Sequence, residues 1–272
     1  MVIDFHTHIF PEHVSTHAVS KLEQSGNLKA YTDATVDGLL YSMKKARIDI
    51  SVLLPVVTKP EQFDTVNRFA VKWNQLPGIC SFGGIHPEDP LVKYHIKEIA
   101  RRGLRGIKLH PDFQQTYIDD ISYIRLISQA LEEGLYIAIH AGLDDAYPDC
   151  IHATPKRIRH LLSELGILGS HSKEVRKIIL AHMGGFALWD EVSELLLTEE
   201  VYLDTSFAFG YLSEDRLLAM IKKHGPDKVL FGTDSPWQSQ KESLQRFQML
   251  PLTEEEKEAI LYKNAWHILG GS

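Results

Sequence analysis

Two histidines, His6 and His8, stand one residue apart in the opening stretch MVIDFHTHIF, at the end of an apolar run. If that run is a strand, its side chains alternate between faces, so His6 and His8 share one face and Thr7 takes the other. Two imidazoles on one face can hold one metal ion, or can simply be polar residues at a strand end. The pair does not decide between these. Further polar residues follow other short apolar runs in the same way: His86 in GGIHPED, Lys108 and His110 in GIKLHPD, His140 in IAIHAG, His182 in ILAHMGG, Asp204 in VYLDTS and Asp234 in LFGTDSPW. Scattered histidines would not fall repeatedly at one phase of a repeat. Three imidazoles and a carboxylate can hold a borderline divalent cation and leave a position open for water. Such a cation lowers the pKa of its water toward ~7. Asp234 could bind the ion and also accept a proton, and His182 could polarise a carbonyl, move a proton or bind a second metal.

The elements that must position these residues form a repeating pattern. Short, often β-branched runs over 2–6, 50–56, 79–85, 104–110, 135–140, 177–182, 201–206 and 228–234 read as strands. Between them lie helical spacings. The segments 36–48 and 123–134 carry one apolar face, and Gly134 reads as a C-cap. A helix over 154–165 begins with Thr154 as N-cap and Pro155 in its first turn, and one over 252–269 begins with Thr253 and Glu256 at capping-box spacing. Eight strand–helix units imply parallel strands closed into a single α/β barrel of the TIM (β/α)8 type over 1–272, with its active site at the C-terminal rim of the strands. A doubly wound open sheet is the alternative. It calls for a Gly-rich loop after the first strand, where this chain has HTHIFPE. No Gly-, Ser- or Pro-rich linker divides the chain.

Composition limits the partners. The net charge of -7 and pI of about 6.0 disfavour binding to a phosphate backbone. Two cysteines, Cys80 and Cys150, in 272 residues point to a reducing compartment without a disulfide framework. With no membrane-length apolar run and no signal-peptide pattern, a cytoplasmic enzyme acting on a small molecule is expected. The barrel helices could support a homodimer. Of the remaining histidines, His86 reads as a loop residue bonding backbone, and His13, His17, His95, His152, His160, His171, His224 and His267 as surface or core filler. Asp204 reads as the residue that holds a rim loop or a ligand's second nitrogen. Phe10 and Trp237 follow candidate ligands closely enough to wall a pocket.

The combination FHTH, IHAG, LAHMGG and FGTDSPW resembles the amidohydrolase superfamily, most closely its family-2 branch of metal-dependent hydrolases and decarboxylases. The motifs run from residue 4 to residue 237, and KNAWHILG is similar to the branch's final helix. The resemblance implies a distorted TIM barrel with His6, His8, His140 and Asp234 as ligands of a divalent metal, and His182 beside the metal's water or at a second metal. Zinc is the first expectation, with manganese or another first-row ion as alternatives. Some superfamily members carry a carboxylated lysine bridging two metals at about the position of Lys108. GIKLHP instead resembles the one-metal branch, where an unmodified Lys108 would hold an anionic substrate group or a neighbouring carboxylate. His110, two residues on, would share that face.

The first functional expectation is a hydrolase in which metal-activated water attacks an amide or ester carbonyl and Asp234 carries the proton to the leaving group. The alternative is a non-oxidative decarboxylase on the same ligand set, with Lys108 or a loop arginine steering the carboxylate. GGIHP also resembles the TatD-like deoxyribonucleases, but those carry an acidic residue near the position of Lys108. A barrel that keeps a metal for stability alone ranks last.

Overall fold

The computed structural model describes residues 1–26, 28–171 and 175–271. Nine parallel strand segments occupy eight positions around a barrel. They are β1 (Ile3–Thr7), β2 (Ile50–Leu53), β3 (Ile79–Ser81), β4 (Gly83–Gly84), β5 (Gly106–Leu109), β6 (Tyr136–Ile139), β7 (Ile178–Leu180), β8 (Tyr202–Asp204) and β9 (Val229–Leu230). Each pairs in parallel with the next, except that β3 and β4 share one position interrupted at Phe82. The Phe82 N–H still donates to Leu53 at 2.9 Å, so the barrel wall continues across the break. The seam between the last and first strands is closed by backbone bonds from Phe5 to Phe231 (2.8 Å), Asp234 to His6 (2.8 Å) and His8 to Ser235 (2.7 Å). Closure leaves no free sheet edge and gathers all the C-terminal strand ends on one rim, the arrangement of a TIM barrel.

Close packing flanks the break. The helix Phe63–Trp73 packs so closely that a Cβ on Gly83 would lie 2.6 Å from Asn67 Oδ1, and a Cβ on Gly84 would lie 2.9 Å from Val57 in the segment after β2. Asn67 bridges the contact: its amide donates to Phe63 and Gly84 carbonyls at 2.8 Å each and accepts from the Gly84 N–H at 3.1 Å.

Two packed layers follow from strand alternation. Val52, Phe82, Ala138, Ile179, Tyr202 and Leu230 fill the barrel interior, while Leu53, Ile107, Ile137, Ile139, Leu180 and Val229 face the helices. β1 departs from strict alternation. Its pairing with β2 runs Ile3↔Ile50, Asp4↔Ser51, then Thr7↔Leu53, so three residue steps on β1 match two on β2. This bulge turns both Phe5 and His6 inward. Phe5 packs edge-to-face on Phe82 at 5.6 Å, and His6 and His8 then share the rim face.

Helices absent from the sequence reading include Glu12–Gly26, Val92–Arg101, Trp189–Leu195, Glu214–His224 and Gln240–Met249. The segment read as one helix over 252–269 is a compound of Glu254–Glu258, a π-helical turn Ala259–Lys263 and Asn264–Ile268. Its Thr253–Glu256 capping box forms as expected, at 3.3 and 2.8 Å. Asn264 ties that segment to the barrel by donating to the Pro226 and Val229 carbonyls at 2.8 and 2.7 Å. No helix among the described residues is long and apolar enough to cross a membrane.

Asp4 stabilises both the bulge and the seam. Fully buried, it accepts from the His6 N–H (3.2 Å), the Thr233 N–H (2.9 Å), the Thr233 hydroxyl (2.5 Å) and the Gln240 amide (2.7 Å). Removing the acceptor leaves several buried donors unsatisfied. Asp4→Ala is therefore expected to lower unfolding stability by about 2–4 kcal/mol, with Asp4→Asn recovering part of it. Urea denaturation read at the midpoint checks this.

Candidate metal centre

The strand ends bring three prospective ligand atoms to one point. His6 Nε2 lies 3.2 Å from His8 Nε2 and 3.5 Å from Asp234 Oδ1, and His8 Nε2 lies 2.9 Å from that same oxygen. The other nitrogen of His6, Nδ1, is 2.8 Å from Asp204 Oδ2. That carboxylate fixes the tautomer: Nδ1 carries the proton and the Nε2 lone pair points into the cluster. Burial, then Lys108, lowers the pKa of His6, which keeps the ring neutral. Burial by itself would raise the Asp234 pKa, but His6 and His8 outweigh it and hold the carboxyl well below its usual range.

His182 and His140 make a second pair. His182 Nδ1 lies 3.3 Å from the Ser206 carbonyl and 2.9 Å from its hydroxyl, which assigns the proton to Nδ1. Its Nε2 lone pair faces His140 Nδ1 at 3.0 Å. The remaining nitrogen of His140, Nε2, has no hydrogen-bond partner, and lies 3.9 Å from a buried, equally unpartnered Asp112 Oδ2. A proton on His140 Nε2 directed at Asp112 leaves two lone pairs facing each other across 3.0 Å. Burial depresses the His182 pKa to about 4 and that of His140 well below the normal imidazole range, so both rings are neutral and each can offer a lone pair to a cation.

A divalent cation fits this donor set. Two imidazole nitrogens on one tetrahedral zinc sit about 3.3 Å apart, close to the 3.2 and 3.0 Å found here. The buried Asp234 Oδ1, which accepts no hydrogen bond, would gain a partner. The geometry brings His6, His8 and Asp234 directly together, and His140 joins through His182. The neighbouring group His110, His140 and Asp144 is a poorer chelate. The rings of His110 and His140 stack at 4.1 Å and 11°, so no single point lies in both ring planes.

Backbone strain marks the same residues. His182 (φ 58°) and Asp234 (φ 63°) both occupy the left-handed region, which is unfavourable for residues with a Cβ. Each is held from outside. The His182 N–H donates to Asp204 Oδ1 at 3.0 Å, and the Asp234 N–H donates to the His6 carbonyl at 2.8 Å.

Above the cluster opens a cavity of about 720 Å³. Phe10, Trp237, Lys108 and His110 all line it, joined by Phe113 and Phe207. Lys108 is fully buried, with Nζ 3.4 Å from His6 Nε2. Burial draws its pKa down to about 8, against the opposing pull of Asp204 and Asp234. His110 Nε2 lies 3.3 Å from Asp144 Oδ2, and the ring stacks on Phe113. His86 lies apart from this cluster as a loop residue, its Nδ1 accepting from the Glu88 N–H. Sequence reasoning missed Ser206, which follows Asp204 by two, and Asp112, which follows His110 by two; their spacing was the available signal.

The amidohydrolase family model matches residues 3–271. The chain belongs to the amidohydrolase family. No match to it is found among curated protein sequences. Solved structures share the fold at low identity. The 5-carboxyvanillate decarboxylase of Novosphingobium aromaticivorans, complexed with manganese and 4-hydroxy-3-methoxy-5-nitrobenzoic acid, is 16% identical with a TM-score of 0.75, covering 99% of this chain and 96% of that one. A 2,6-dihydroxybenzoate decarboxylase from Rhizobium is 17% identical with a TM-score of 0.72, covering 98% of each chain. A Pseudomonas putida protein described as a putative 2-pyrone-4,6-dicarboxylic acid hydrolase is 18% identical with a TM-score of 0.67, covering 99% of this chain and 97% of that one.

In this amidohydrolase the donor set predicts measurable metal retention. The purified protein is expected to hold a divalent first-row ion by elemental analysis, and His6→Ala to lose it. Asp204→Asn, which removes the charge behind His6 Nδ1 while keeping its shape, should weaken metal affinity by about 10–100-fold. Competition with a chromophoric chelator measures the change.

Proposed function

We propose that this amidohydrolase is a metal-dependent decarboxylase of a small planar carboxylic acid. The observation that carries the reading is the cavity itself: aromatic side chains wall it, and the buried Lys108 ammonium stands beside the ligand cluster at its floor. Flat rings suit a flat substrate, and a desolvated cation attracts a carboxylate strongly. The decarboxylases of similar fold act on ring carboxylic acids by their names, which supports the choice.

A divalent ion in this donor set would act as a Lewis acid on a substrate oxygen. The chain's own groups do the rest. Lys108 orients the carboxylate, and Phe113, Phe207 and Trp237 hold the ring and limit water. In the reaction the bond from ring carbon to carboxylate breaks, CO₂ leaves and its electron pair stays on the ring, where a proton must arrive. Asp234 is kept ionised by His6 and His8, so it can take a proton from an acidic substrate hydroxyl and return it to that carbon.

Hydrolysis of an ester, lactone or amide is the second reading. It is favoured by Asp234 Oδ1, which is buried without a donor and suited to accept a proton from attacking water.

A panel of hydroxybenzoic and unsaturated acids, assayed for CO₂ release with zinc and with manganese, tests the first reading; titration of acid released from esters and lactones tests the second. Asp234→Asn should cut turnover at least ~10²-fold in either case. Lys108→Met should raise KM for an acid about tenfold or more while sparing metal content. Hydrolysis without CO₂ release on any acid would replace the first reading by the second.

A further inference from the structure

A second constellation of nucleophilic and titratable groups lies on the loop between β6 and the helix Pro155–Glu164. Cys150 Sγ is 3.8 Å from His152 Nε2. On the far side of that ring, Nδ1 is 2.8 Å from Asp112 Oδ1, which also accepts the His152 backbone N–H at 3.0 Å. Asp112 is fully buried and His152 nearly so. With a carboxylate at Nδ1, the ring's proton belongs there, and its lone pair at Nε2 faces the thiol. Nucleophile, base and orienting carboxylate therefore stand in the order that activates a cysteine.

A second polar group meets the sulfur. The Tyr117 hydroxyl approaches Sγ to 3.4 Å and can donate to it. The Arg157 guanidinium lies 3.8 Å above the Tyr117 ring and pairs with Asp119 at 2.8 Å. Cys150 is half-buried and Tyr117 exposed, so a small reagent can reach the sulfur. The other cysteine, Cys80, is also half-buried, but burial pushes its thiol pKa up.

We propose that Cys150 is a nucleophilic thiol, activated by His152 and Asp112, that reacts with hydroperoxides and other soft electrophiles. With a hydroperoxide, sulfur bonds to one peroxide oxygen and the O–O bond breaks. The thiol proton passes to His152 Nε2 and on to the departing hydroxide or alkoxide. Sulfur loses two electrons and becomes a sulfenic acid, and the peroxide is reduced to water or an alcohol. The constellation meets the metal centre at Asp112, whose other oxygen lies 3.9 Å from His140 Nε2.

The test follows carbamidomethylation of the intact, metal-loaded protein by iodoacetamide, resolved at Cys150 and Cys80 by peptide mass spectrometry. Cys150 is expected to react at least about tenfold faster than Cys80. His152→Gln should slow Cys150 by a similar factor and leave Cys80 unchanged. Dimedone added after hydrogen peroxide should label Cys150 in the wild type. If His152→Gln alters the Cys80 rate and so reveals a disturbed fold, Tyr117→Phe, at an exposed position, decides: slower alkylation of Cys150 supports the proposal and an unchanged rate overturns it. Equal rates at Cys150 in the wild type and both variants, or no dimedone adduct, would also overturn it.

Discussion

The centre depends on one buried carboxylate. Asp204, at the end of β8, binds His6 Nδ1 through one oxygen, and through the other takes the backbone N–H groups of His182 and Ser206 and the Ser206 hydroxyl. Burial would raise its pKa, but His6, His182 and Ser206 overcome that and keep it ionised. It thereby sets the His6 tautomer, secures the strained His182 turn and orients Ser206 against the second imidazole. Residues nearly two hundred positions apart are held by one side chain, so the geometry of the site is a property of barrel closure rather than of any single loop.

Closure in turn depends on irregularities. A regular β1 would send His6 outward, away from Phe5. The bulge lets Phe5 fill the barrel floor and His6 reach the rim, and Asp4, left facing outward, ties the bulge to Thr233 and Gln240 across the seam. The chain beyond β9 does not continue as strand. It turns through Asp234 in a left-handed conformation, which directs that carboxylate back over His6 and His8. Strain and bulge therefore fall where the ligand atoms must converge, as expected where positioning takes precedence over regularity.

Much of this was legible in the sequence because it repeats. Eight apolar runs with polar residues at one phase give the barrel and its rim, and the cap residues Thr154 and Thr253 mark two helix starts by local chemistry alone. What was not legible depends on contacts between distant segments. The run 79–85 reads as one strand, yet it is interrupted at Phe82, and Asn67 holds the Gly84 backbone just beyond the break. His152 reads as filler because its partners, Asp112 and Cys150, acquire meaning only when two rim loops meet. His140 was expected beside His6 and His8, and its nearest nitrogen partner is His182.

The same ligand set serves hydrolysis and decarboxylation, so the difference must lie in what covers it. Attack on an ester or amide needs water over Asp234 and a polar channel to supply it. Loss of CO₂ needs the carboxylate desolvated and the ring fixed, and the proposed decarboxylation rests on the aromatic walls and the buried ammonium for both. Lys108 is the residue on which the proposed decarboxylation turns. In water an ammonium interacts weakly with a carboxylate, but in a low-dielectric pocket the attraction is several times stronger. Its burial against His6, at a cost that lowers its own pKa, makes sense when an anion arrives to share the site. A neutral amide or ester would add nothing to the partial compensation that Asp204 and Asp234 already give.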